Sequence, residues 1–147
     1  MSAIPQRLSV VTLGARDLPK LRDFYDALGF RRTVTVEDEF AAFLVGGVIL
    51  ALFPLELLAA EAAPGAEPPR GGWSGVTLAI NVDERDHVDT AFAAAVETGA
   101  RAIAEPVDRD FGGRSGYVAD PEGNRWEIVW APGIEFDARG AVIKFGD

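Results

Sequence analysis

The side chain most suggestive of chemistry is Glu127, in the stretch "DPEGNRWEIVW" running from Asp120 to Trp130. A turn signal leads there into an apolar, strand-like run, and Glu127 sits inside it between Trp126 and Ile128. A carboxylate buried without a partner must either be compensated or take up a proton. Three roles follow. Glu127 pairs with a guanidinium, the candidates being Arg125 on its own strand face and Arg101 and Arg114 on neighbouring strands. It anchors a ligand through a cationic or hydrogen-bond-donating group. Or it acts as a general base, removing a proton beside a carbonyl or epimerising a carbon, with Arg114 or Arg125 stabilising the anion formed.

Other reactive residues are scarce. Cysteine is absent and histidine occurs once, as His87. Thiolate sites, disulfides and sites built on several imidazoles are therefore excluded. His87 follows Asp86 near the start of a helical pattern and reads as a solvated surface residue. The segment "RDFGGRSG", Arg109 to Gly116, is a glycine-rich loop leading into a strand. It lacks the lysine pattern and following helix of a phosphate loop. Phe111 and Arg114 place it either as a lid at a cavity mouth or as a plain hairpin loop.

The net charge of -9 with no basic run argues against nucleic acid as a partner. No apolar run approaches bilayer length and no basic-then-apolar leader opens the sequence, so a cytoplasmic location without membrane contact is expected.

The elements that would position these residues form a pattern that occurs twice. A strand in "RLSVVTLGARDL" ends at Asp17, an N-cap for a helix with Leu18, Leu21, Phe24, Tyr25 and Leu28 at helical spacing and Gly29 as its stop. "RRTVTVED", "FAAFLVGG" and "VILALFP" follow as strands, with a Gly46-Gly47 hairpin between the last two. After a connector rich in Pro, Gly and Ala, "GVTLAINV", the helical "ERDHVDTAFAAAVETGA", "RAIAEPV", "RSGYVAD" and "NRWEIVW" spell the same order. The expected organisation is one domain over 1–147, with a β-α-β-β-β module over about 7–54, a connector over about 55–72 and a second module over about 73–132. The tail, 133–147, adds one short strand.

Side chains alternate across a strand. In "GVTLAINV", Val76, Leu78, Ile80 and Val82 should pack under helices, leaving Gly75, Thr77, Ala79 and Asn81 on the other face. Trp126, Ile128 and Trp130 likewise face the helices, while Arg125, Glu127 and Val129 face away. A four-residue turn over Asp120–Gly123 would put Gly116 opposite Glu127, leaving room beside the carboxylate, and Val118 opposite Arg125. By the repeat register, Val10 and Thr12 match Thr77 and Ala79, and Ala51 matches Glu127, with Phe40 and Phe53 sharing the face of Ala51. The expected ligand-binding set is Val10, Thr12, Phe40, Ala51, Phe53, Thr77, Phe111, Arg114, Arg125 and Glu127, although the phenylalanines also fit ordinary core filling.

The paired modules, "VTLGARDLPKLRDFYDALGF" and "GYVADPEGNRWEIVW" resemble the vicinal oxygen chelate superfamily over roughly Leu8 to Pro132. Glyoxalase I, extradiol dioxygenases, fosfomycin-modifying enzymes and bleomycin-binding resistance proteins belong to it. The D-P-x-G-N-x-x-E signature marks the superfamily more than any one activity. The resemblance implies an α+β fold of two βαβββ modules, an open, cupped, mostly antiparallel sheet around a cavity, and commonly a homodimer. The metal-ligand positions of such proteins fall here on Val10, Ala51, Thr77 and Glu127, of which only Glu127 is a strong ligand. The expectation is a small-molecule-binding protein without a complete metal site and without a cofactor. The alternative is a lyase, isomerase or dioxygenase-like enzyme using Glu127 as general base or as ligand of a weakly held divalent metal.

Overall fold

The computed structural model describes residues 3–146. Its first module is β1 (Val10–Ala15), α1 (Leu18–Leu28), β2 (Arg31–Val36), β3 (Phe40–Val45) and β4 (Val48–Pro54). Asp17 caps α1, its side chain accepting from the Lys20 N–H at 3.1 Å, and Pro19 fits the first turn, where no backbone donor is needed. Gly29 ends the helix in the left-handed conformation, φ 100°, where a Cβ would be strained. A short helix, α2 (Leu55–Ala62), opens the connector.

The second module is β5 (Thr77–Asn81), α3 (His87–Thr98), β6 (Arg101–Asp108), β7 (Arg114–Ala119) and β8 (Arg125–Trp130). The two sheets have the same order, β1-β4-β3-β2 and β5-β8-β7-β6. β1 runs parallel to β4 and β5 parallel to β8, and the remaining pairs are antiparallel. The duplicated α+β pattern is thus present in both halves. The tail differs from the single strand expected. It forms a hairpin, β9 (Ile134–Phe136) and β10 (Val142–Phe145), whose turn is held by the Asp137 carboxylate accepting from the Arg139 and Ala141 N–H groups.

Helices α1 and α3 turn their apolar stripes into one core. Leu18, Leu21, Phe24 and Tyr25 from α1 meet Val88, Phe92 and Ala95 from α3, together with Phe43, Leu50, Leu52, Val118, Trp126 and Ile128 from the sheets. Tyr25 lies at its centre, stacked on Phe30 with ring centroids 5.7 Å apart and edge-on to Phe24 and Phe43. Leu78, Ile80 and Val82 pack against this core as their alternation requires, but Val76 precedes β5 and is 60% exposed. The sheet faces turned away from α1 and α3 are only partly covered: Ala42 and Ala51 are buried there, while the outer apolar residues are not. Val10, Val34, Val36 and Leu44 on β1, β2 and β3 are between 40% and 49% exposed.

Candidate functional site

The turn before β8 explains how Glu127 is aimed. Each oxygen of Asp120 accepts two hydrogen bonds. Oδ1 takes the Glu122 and Asn124 N–H groups at 3.0 and 2.9 Å; Oδ2 takes the Tyr25 hydroxyl at 2.5 Å and the Asn124 amide at 2.8 Å. The Trp126 indole N–H in turn donates to the Tyr25 oxygen at 2.8 Å. Glu122 reaches the start of α1, accepting from the backbone N–H groups of Arg16 and Asp17 at 3.0 and 2.9 Å. Both acidic side chains of "DPEGN" therefore fasten one module to the other. Burial, and the Asp120 charge beside it, push the Tyr25 phenol well above its ordinary pKa, so it remains a donor.

This network corrects the expected register. The Asp120 N–H donates to the Asn124 carbonyl, so Asn124 belongs to the turn and pairing resumes one residue later than expected. Tyr117, not Gly116, faces Glu127, and Ala119, not Val118, faces Arg125. Gly116 points to the helix side, where a Cβ would come within 3.0 Å of Phe92 and Pro106. Its smallness serves helix packing and leaves no room beside the carboxylate.

Glu127 is half-buried on the helix-free face of the second sheet, between Ala79 and Tyr117. Its Oε2 accepts the Tyr117 hydroxyl at 3.1 Å. Desolvation first, then the Glu127 charge and hydrogen bond, raise the Tyr117 pKa, with Arg109 pulling the other way. Arg109 lies over the Tyr117 ring, its guanidinium carbon 5.7 Å from the centroid. It is clamped by two bonds to the fully buried Ser115, Nε to Oγ at 2.9 Å and Nη2 to the carbonyl at 3.1 Å. Tyr117, Ser115 and Arg109 were not legible as site residues. The first two became visible only with the register, and the last only with the fold of its loop.

None of the arginines expected near Glu127 pairs with it among the described residues. Arg125 shares its face but donates to the Gly123 carbonyl at 2.8 Å. Arg114 lies on the opposite face, because β7 alternates, and grips Asp89 of α3 with two bonds of 2.8 Å and Asp108 with one of 3.1 Å. Asp89 is thereby held below the usual carboxylate range. Arg101 is exposed on β6. His87 begins α3 and is exposed.

The other expected residues fall into separate groups. Phe111 is 57% exposed at the loop tip, its ring lying where a side chain at Gly113 would have to go. Phe40 and Phe53 meet edge to face, centroids 6.5 Å apart, on the helix-free face of the first sheet with Thr12 and the buried Ala51. Val10 and Thr77 lie at their outer rows, against Ile49 and Arg125. The five principal cavities, of about 740, 240, 200, 500 and 510 Å³, are not lined by Glu127.

A metal held in the manner of the resembled proteins would need donors from Val10, Ala51 and Thr77 besides Glu127. Two of these have no donor atom, and the strand neighbour of Glu127 on β5 is Ala79, not Thr77. Among the described residues no group of three His, Cys, Asp or Glu side chains could hold a metal ion. The donor set does not fit such a centre.

Comparison with known proteins agrees with this architecture. A glyoxalase-related enzyme from Fulvimarina pelagi superposes with a TM-score of 0.85 at 28% identity, covering 97% of this chain and 100% of its own. A glyoxalase/bleomycin resistance protein/dioxygenase from Nocardioides gives a TM-score of 0.72 at 25% identity, covering 99% and 91%. A lactoylglutathione lyase from Agrobacterium tumefaciens shares the fold, with a TM-score of 0.66 at 22% identity over 86% and 95%. No curated protein shows significant sequence similarity to the chain. Among the described residues no helix is long and apolar enough to cross a membrane. Residues 7–128 match the family model directly, and the chain belongs to the Glyoxalase/Bleomycin resistance protein/Dioxygenase superfamily.

Proposed function

We propose that the protein binds a small molecule on the helix-free face of β5–β8, with Glu127 and Tyr117 as its polar anchor and no resident catalytic metal. One observation carries this reading: Glu127 is half-buried, has no guanidinium partner among the described residues, and is bonded by the single hydroxyl of Tyr117. A carboxylate kept for structure would be saturated, as Asp120 is. Glu127 keeps lone pairs for a cationic or hydrogen-bond-donating group. The apolar body of the ligand needs cover, and the exposed apolar face around Phe40 and Phe53 supplies it when a second copy of the chain packs against the first. The working form is therefore a homodimer.

Primary amines with apolar bodies, tested against alcohols of the same shape in a thermal-shift screen, examine this reading. The amines should stabilise the protein more, and Glu127→Gln should weaken their binding about ten-fold, the loss of one charge-assisted bond. Equal binding of amines and alcohols, or full affinity in the variant, contradicts it. Protein purified without chelator should carry no stoichiometric nickel, zinc, iron or manganese. A tightly held equivalent of any of them would overturn the metal-free reading. Light scattering should give twice the mass of the chain.

A further inference from the structure

We infer that Arg109 is a second anchor of the same site, and that the ligand is a zwitterion: an apolar body carrying an ammonium group for Glu127 and a carboxylate for Arg109. The inference rests on the reading of Glu127 as a ligand anchor and adds the class of ligand.

Three observations support it. Arg109 makes no ion pair with any described carboxylate, although the chain carries a net charge of -9 and its neighbours Arg85 and Arg114 are paired with Asp108 and Asp89. It is nevertheless held in place. Its backbone N–H donates to the Gly113 carbonyl at 2.9 Å and its carbonyl accepts the Gly112 N–H at 3.0 Å, so the loop closes on itself. Its Nε and Nη2 are spent on Ser115, which orients the planar guanidinium and leaves Nη1 without a partner among the described residues. A half-buried guanidinium fixed by neutral acceptors, with a free edge, is prepared for a planar anion such as a carboxylate.

The third observation is the arrangement about Tyr117. Arg109 lies over its ring while Glu127 holds its hydroxyl, so one aromatic side chain separates an unpaired cation from an unpaired anion. The Tyr117 ring keeps them apart and offers its own surface to the ligand. A simple amine would leave Arg109 unanswered, and a simple acid would leave Glu127 unanswered. A zwitterion answers both, and its apolar part packs on the exposed Ala79 beside Glu127.

Matched triads test this on the intact protein: phenylalanine, phenethylamine and 3-phenylpropionate, with the corresponding leucine and tryptophan series, measured by calorimetry. In at least one triad the amino acid should bind about ten-fold or more tighter than its amine. Arg109→Met should abolish that preference while leaving amine binding intact, and Glu127→Gln should abolish the preference over the acid. Arg109→Lys keeps the charge without the bidentate edge and should recover part of the loss. If the amine binds as tightly as the amino acid in every triad, the second anchor is wrong while the Glu127 reading stands. If Glu127→Gln leaves amine affinity unchanged, or no member binds, both fail. If Arg125→Met removes the preference and Arg109→Met does not, the assignment to Arg109 is overturned. If Arg109→Met only lowers the unfolding temperature, its bonds to Ser115 are structural and the inference fails.

Discussion

The two modules use the same strand lattice and fill it differently. In the first, Thr12, Ala51 and Ala42 lie side by side across β1, β4 and β3; in the second, the same row reads Ala79, Glu127 and Tyr117. The first row is closed, with Ala51 and Ala42 only 2% and 4% exposed. The second holds a hydrogen-bonded acid and phenol. Since the alanine row folds into the same sheet order, the polar pair is not something this architecture needs in order to form. That difference is the reason for looking to Glu127 for function and to the turn before it for stability.

Severing the turn should have the largest effect. Asp120→Ala leaves the buried Tyr25 hydroxyl and the Asn124 donors without their acceptor. It should cost about 3 kcal/mol or more, read from the urea midpoint, because bonds to a charged group contribute about 1.5–3 kcal/mol each. A loss below about 1 kcal/mol would deny the turn its role as fastener. Writing the second row into the first comes next. Ala51→Glu puts a carboxylate at a position that is 2% exposed, beside the buried Ala42, and should cost about 2 kcal/mol or more. Stability equal to the parent would mean that the two rows are interchangeable.

Alkaline titration separates the two tyrosines from solvent-exposed phenols. Tyr25 and Tyr117 both have pKa values raised above 10.0, so above that pH the unfolded chain releases their protons while the folded chain keeps them. Stability should therefore be unaffected by these groups below about pH 10 and fall as the pH rises through the folded values. Tyr25→Phe should flatten that decline more than Tyr117→Phe, the burial of Tyr25 being complete. A decline that persists unchanged in Tyr25→Phe would contradict this. Glu127→Gln should have the smallest effect on folding, under about 1 kcal/mol, since the amide oxygen still accepts from Tyr117.

The duplicated order of elements was legible in the sequence because hydrophobic spacing, Asp17, Gly29 and the Gly46-Gly47 pair each carry a local signal. The orientation of Glu127 was legible for the same reason, since alternation with Trp126 and Ile128 leaves it one face. Its neighbour was not. The register depended on whether Asn124 joins the turn or the strand, which is decided by an Asp120 carboxylate bonded to a tyrosine 95 residues away. One residue of slip exchanged Gly116 for Tyr117 and reversed the picture from a gap beside the carboxylate to a bonded phenol. Arg114 was misplaced for a related reason. Nothing local distinguishes an arginine facing a cavity from one clamped to Asp89 on a helix.

The contrast between a structural turn and a functional carboxylate can be measured in one pair of experiments on Glu127→Gln: its unfolding temperature, and its calorimetric affinity for phenethylamine or whichever apolar primary amine the screen ranks highest. The unfolding temperature should stay within about 3 °C of the parent, the shift expected for under about 1 kcal/mol in a chain of this size, with the affinity reduced about ten-fold. A fall of many degrees with the affinity unchanged would make Glu127 a structural charge and contradict the account.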